Sequence, residues 1–165
     1  MKFILSILSF TISFNVLLAQ QQPCQSEQYK AFDFWIGEWM VTDTVGNPLG
    51  TNSIKKEESG CLVTEHWTGQ SGGTGSSMNY YNPADSSWNQ LWVSSNGFIL
   101  KMKGEANLNQ MVLTSDLSKN QTGQSIYHRI TWTLNDDQTV TQLWQVLNDQ
   151  KQVLSEAFRG IYAKK

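Results

Sequence analysis

The chain has 165 residues, with 14 acidic and 12 basic side chains and a formal charge of −2. Acids and bases are scattered along it, so no basic stripe points to nucleic acid or to an anionic membrane surface. What the composition leaves to explain is seven tryptophans in a chain with only two cysteines.

Met1 and Lys2 make a short positive start, and residues 3–18 are an apolar run broken only by Ser, Thr and Asn. Ala19 then precedes Gln20, Gln21 and Gln22. This is the pattern of a secretory signal peptide over residues 1–19, cut after Ala19, and it assigns the mature chain to the periplasm or the extracellular space. The run is too short, and too polar in its middle, for a retained membrane span. Gln22-Pro23 ahead of Cys24 is not the small apolar pair of a lipid-attachment site. In an exported chain the pair Cys24 and Cys61 reads as one disulfide, the alternative being two buried thiols.

Residues 20–31 form a polar lead-in with a short helical turn. Ser26 is placed to cap that turn, with Glu27 in its favourable first turn. Tyr29, Phe32 and Trp35 repeat every third residue and give it one apolar side. From Trp35 onward the pattern is strands and turns. Strands are expected over 35–44, 49–57, 61–68, 76–81, 87–94, 98–104, 110–115, 125–134, 139–147 and 153–162. Asn82-Pro83, Asn96-Gly97 and Asn135-Asp136-Asp137 mark turns between them, and Asn96-Gly97 is a strong hairpin signal. About ten short strands at this spacing are the all-β pattern. Tight consecutive turns favour a single antiparallel up-and-down β-barrel over residues 32–165, because closure removes exposed edges; a two-sheet sandwich is the alternative.

A buried Trp brings a large apolar surface and one N–H that needs a partner. A filled core does not need so many polar handles, whereas a cavity wall can use both ring and N–H. Strand alternation puts Glu65 with Trp67, Gln90 with Trp88 and Trp92, Gln142 with Trp144, Asn79 with Ser77, and Trp39 with Gly37. Arg129 shares a face with Tyr127 and Thr131. If these faces point inward, Glu65 and Arg129 are natural partners, because an isolated buried charge is costly. That pairing would also lower the Glu65 pKa.

The stretch Phe32-Asp33-Phe34-Trp35-Ile36-Gly37-Glu38-Trp39 resembles the opening motif of a family of exported bacterial proteins with a lipocalin-like barrel. Later segments fit in order: Gly60-Cys61 through Trp67, Ser77 through Tyr81, Trp88 through Trp92, Arg129-Ile130-Thr131-Trp132 and Gln142-Leu143-Trp144. The resemblance covers essentially the whole mature chain. It implies a calycin-type barrel closed at one end near the first strand, and carries no activity with it. The Gly-x-Trp at Gly37 to Trp39 is also similar to lipocalins and to the haem-binding barrel nitrobindin.

Other motifs favour bland readings. His66 and His128 are the only histidines and neither lies in the final strands, where a nitrobindin-like axial ligand would be sought. Two isolated histidines are a weak zinc signal. The run Gly69 to Gly75 lacks the Lys and the following helix of a phosphate loop and reads as a hairpin connection. No Gly-x-Ser-x-Gly or His-Glu-x-x-His occurs. No cofactor is expected. The first reading is therefore a barrel holding a small, partly apolar ligand. Trp39, Trp67, Trp92 and Trp144 would form its walls, and Glu65, Asn79, Gln90, Arg129 and Gln142 would orient the ligand. An enzyme using Glu65 and Arg129 in the same cavity, and an interaction domain with a filled core, fit the same residues.

Overall fold

The computed structural model describes residues 23–165. The expected signal segment lies outside the described residues. Eleven strands follow one short helix: β1 (Gly37–Thr42), β2 (Pro48–Glu57), β3 (Leu62–Gly69), β4 (Thr74–Asn82), β5 (Ser87–Ser94), β6 (Ile99–Asn107), β7 (Gln110–Ser115), β8 (Ser118–Lys119), β9 (Ser125–Leu134), β10 (Val140–Leu147) and β11 (Val153–Lys164). Ten of them close into an antiparallel barrel. Each strand pairs with its neighbour in sequence, β7 pairs with β9, and β11 returns to β1. The ring leaves no long edge to be protected.

The two-residue β8 falls in the polar stretch between the strands expected over 110–115 and 125–134. It continues β7 along the same flank of β9, pairing Ser118 with Ile126. At the break, Ser115 Oγ accepts the His128 backbone N–H at 2.9 Å, so the donor that the ladder leaves free is satisfied. The Asn96-Gly97 hairpin forms as its residues require: Gly97 adopts φ +85° and Asn96 Oδ1 accepts the Phe98 N–H at 3.0 Å.

One end of the barrel is plugged by the N-terminal segment. The helix α1 (Glu27–Lys30) is followed by a 3-10 turn over Asp33–Trp35. Trp35 belongs to this turn and not to β1, which starts at Gly37. The Ser26 side chain makes no capping bond; its carbonyl instead accepts the Tyr29 N–H at 3.0 Å. The plug is aromatic: Phe32 stacks on Trp35 at 4.8 Å and meets Trp88 and Trp132 edge-on. It is anchored by Trp88 Nε1 donating to the Gln28 carbonyl at 3.1 Å and by Lys56 paired with Asp33 at 2.5 Å. The Cys24–Cys61 disulfide ties its first residues to the start of β3, with the two Cα atoms 5.0 Å apart. Beside it, Trp39 Nε1 donates to the Trp35 carbonyl at 2.8 Å, and Lys164 Nζ lies 3.9 Å from the centre of the Trp39 ring.

Candidate functional site

Above the plug the barrel is hollow. A cavity of about 450 Å3 runs to the opposite end, where the β3–β4 and β5–β6 hairpins form its rim at Ser71, Gly73, Ser95 and Asn96. Its walls are mainly apolar: Trp67, Trp92, Trp132 and Trp144 with Phe98 and Phe158, and Leu100 and Ile130 between them. Polar groups enter at Glu65, Gln90, Gln142 and Tyr162.

Three glycines make room for the wall aromatics. A Cβ on Gly75 would stand 2.1 Å from the Trp92 ring, one on Gly50 2.7 Å from the Trp67 ring, and one on Gly160 2.8 Å from the Phe158 ring. Each glycine lies inside a strand, where it otherwise only weakens the pairing. Here the missing side chain lets an indole or phenyl ring come close to the glycine backbone.

The polar residues form a connected belt across β2 to β5. Register sets it up: Glu65 stands opposite Ser77, and Asn79 opposite Gln90. Asn52 Nδ2 donates to Glu65 Oε1 at 2.7 Å and Ser77 Oγ to Glu65 Oε2 at 2.6 Å. Asn79 Nδ2 donates to Ser77 Oγ at 2.8 Å, and Gln90 Nε2 to Asn79 Oδ1 at 2.7 Å. Every donor in this chain is aimed toward the Glu65 carboxyl. On the far side Tyr162 Oη donates to Gln142 Oε1. Asn52 Oδ1 and Trp132 Nε1 are buried without a partner. A half-turn of the Asn52 amide would bring its oxygen to a protonated Glu65, so the same pair can serve either protonation state.

Six of the nine expected site residues line the cavity: Glu65, Trp67, Gln90, Trp92, Gln142 and Trp144. Asn79 is fully buried and reaches the cavity only through Gln90. Trp39 packs in the closed end beside Tyr162, with ring centres 6.1 Å apart, and is part of the floor's support rather than its lining. Arg129 corrects the sequence reading. It stands on the outer wall, where its Nη2 donates to Gln145 Oε1 at 2.7 Å across the β9–β10 pair. The opposite face of β9 supplies Ile130 and Trp132 to the cavity. The expected Glu65–Arg129 ion pair does not form, and an active site built on those two groups has no geometric basis.

The consequence for Glu65 is the reverse of the one expected from an arginine partner. Burial pushes its carboxyl up to about 7, and the Ser77 and Asn52 hydrogen bonds offset this only in part. Because the folded pKa lies above the unfolded one, the native state holds the extra proton between about 4.5 and 7. The Glu65 contribution to stability is therefore largest at the acid end of that window, falls as pH rises through it and levels off above, while His128, whose pKa burial lowers, contributes in the opposite sense. The expected loss is on the order of 3 kcal/mol. Urea unfolding of the wild type and of Glu65→Gln across this range checks it: the difference between the two stabilities should fall with pH through the window, and identical slopes would refute the assignment to Glu65.

Sequence reasoning passed over Tyr162, Phe158, Phe98 and Trp132 as cavity residues. Alternation from Tyr162 back through Gly160 to Phe158 marks one face of β11, and Gly160 within a strand is the signal of a close approach. His128 lies beside the mouth, where its Nδ1 accepts the Trp144 Nε1–H at 3.0 Å and its ring meets Phe98 edge-on at 6.0 Å. Burial lowers its pKa, which keeps Nδ1 an acceptor. His66 is exposed on the outer face, with Nδ1 3.1 Å from Ser76 Oγ.

No protein-family model matches this chain, and no curated protein matches it significantly.

Proposed function

We propose that this is an exported, lipocalin-like barrel that binds a small, partly apolar molecule in its interior. The observation that carries the reading is the 450 Å3 hollow, walled by four tryptophans and two phenylalanines, closed at one end and rimmed by hairpins at the other. Small-molecule sites have this form: about 300–1,000 Å3, mostly apolar, with a few convergent polar groups. The Cys24–Cys61 disulfide supports export, because such bonds persist in oxidising compartments. The resemblance of the motif at residues 32–39 to exported bacterial barrels points the same way.

The test is a fluorescence titration with N-phenyl-1-naphthylamine, a neutral aromatic probe of suitable size. Its emission should rise on binding while the indole emission of the wall falls. Leu100→Trp places a bulky ring in the hollow at a buried wall position. With the fold intact by circular dichroism, the variant should bind the probe about tenfold more weakly or worse, since the occupied volume removes the contacts that carry affinity. Equal binding by both proteins would place the probe elsewhere.

A further inference from the structure

We propose that the natural occupant is an organic cation, an aromatic or alkyl ammonium compound whose nitrogen rests against Glu65 among the rings of Trp67, Trp92 and Trp144. The inference rests on the reading of the hollow as a binding site and adds the charge and class of its ligand.

Three observations lead there. First, Glu65 is the one ionisable acid or base of formal charge among the described residues that line the cavity. Secondly, it has no positive partner: the ion pairs among the described residues all lie elsewhere, and Arg129, its expected partner, is on the outer wall. Thirdly, the belt from Gln90 through Asn79 and Ser77, together with Asn52, presents donors to both carboxyl oxygens, an arrangement suited to the ionised form. A carboxylate held this way at the wall of an apolar hollow lacks only a counter-charge. A cationic ligand supplies one, and aromatic walls add to its binding through the negative faces of their rings. An anion would be repelled, and a neutral apolar molecule would leave the carboxylate without a counter-charge and favour its protonated form.

The groups facing Glu65 do not compete for that role. Asn52 of β2 and Ser77 of β4 are neutral. Tyr162 of β11 is the titratable neighbour, and burial first, then the nearby Glu65, raises its pKa well above the usual phenol value. It stays protonated and donates to Gln142 of β10. Lys164 is at the closed end over Trp39, and His128 lies behind Trp144 as an acceptor. A bound cation holds Glu65 ionised, so binding at neutral pH displaces a proton from the fraction of Glu65 that carries one.

Isothermal titration of the wild-type protein with matched pairs tests this. Benzyltrimethylammonium, phenethylammonium and tryptammonium are compared with neopentylbenzene, propylbenzene and 3-propylindole, in which carbon replaces the charged nitrogen. At about pH 8 at least one cation should bind about tenfold or more tightly than its isostere, the lower range for a desolvated ion pair with aromatic support. Between about pH 8 and pH 6 its affinity should fall about tenfold as Glu65 becomes protonated, while the isosteres are unaffected. Glu65→Gln should abolish most of the preference and leave isostere binding within about twofold, because the amide keeps the shape, its carbonyl still accepts from Ser77 Oγ, and its NH2 donates to Asn52 Oδ1 once the Asn52 amide is turned over. Isosteres that bind as well as the cations would overturn the proposal and leave the binding cavity standing. Absence of binding by every probe would count against both. The wild-type comparison decides the matter even if the variant is poorly folded.

Discussion

Trp35→Ala is expected to destabilise the protein by about 3–5 kcal/mol, the range for emptying the space of a fully buried large aromatic. Trp35 has no exposed surface and is surrounded by Phe32, Trp132 at 5.3 Å and Tyr162 at 6.5 Å. It closes the barrel from below, so its neighbours cannot collapse into the gap without pulling Trp132 out of the cavity wall. Trp35→Phe should cost much less. It keeps most of the ring contacts and removes an indole N–H that finds no partner in the fold. Urea unfolding midpoints at unchanged m-value measure both. A loss below about 1 kcal/mol for Trp35→Ala would mean that the plug is not part of the cooperative core.

Removing the Cys24–Cys61 bridge has the second large effect. The bond closes a loop of 37 positions, and the chain-entropy relation assigns such a loop roughly 3–4 kcal/mol. The double Cys24→Ser/Cys61→Ser variant should unfold at correspondingly lower urea. It should also show faster amide exchange over residues 23–36 than over the strands. Near Cys24 the plug is held by few contacts: α1 has no buried residue, and it meets the wall through the bond from Trp88 to the Gln28 carbonyl, the bond from Lys56 Nζ to the Tyr29 carbonyl and the edge-on contact of Tyr29 with Tyr81. Exchange that accelerates uniformly would instead show that the bridge acts only on the unfolded chain.

The architecture was readable because strand alternation and turn chemistry agree along the chain. Asn82-Pro83, Asn96-Gly97 and Asn135-Asp136-Asp137 fix where strands stop, and the Trp and polar positions then sort onto faces. Trp35 and Trp39 look like one alternating face, which puts the start of the expected first strand two residues ahead of β1. In the fold Trp35 sits in a 3-10 turn, and Gly37 is where the chain turns into the barrel, close against Lys164. Arg129 was misplaced for a similar reason. The pairing with Glu65 assumes that the face carrying Tyr127, Arg129 and Thr131 points inward, whereas Ile126, Ile130 and Trp132 on the other face of β9 mark the inward side. The belt around Glu65 was only half visible. Asn79 and Gln90 follow from alternation, whereas the bonds from Asn52 and Ser77 depend on the β2–β3–β4 register, which no local pattern encodes. Gly50, Gly75 and Gly160 carried a signal that went unused: a glycine inside a strand marks a place where another group comes close.

The central claim is that the barrel interior is an open, aromatic hollow whose one acidic side chain, Glu65, meets a cationic ligand as its carboxylate. A crystal structure grown with 4-bromobenzyltrimethylammonium tests it most directly, since bromine scatters anomalously and nitrogen position follows from the ring. The account predicts a bromine peak inside the ring of strands, with the ammonium group against Glu65 and the indoles of Trp67, Trp92 and Trp144 around it. An interior closed by the protein's own side chains, with bromine found only on the outer surface, would contradict it.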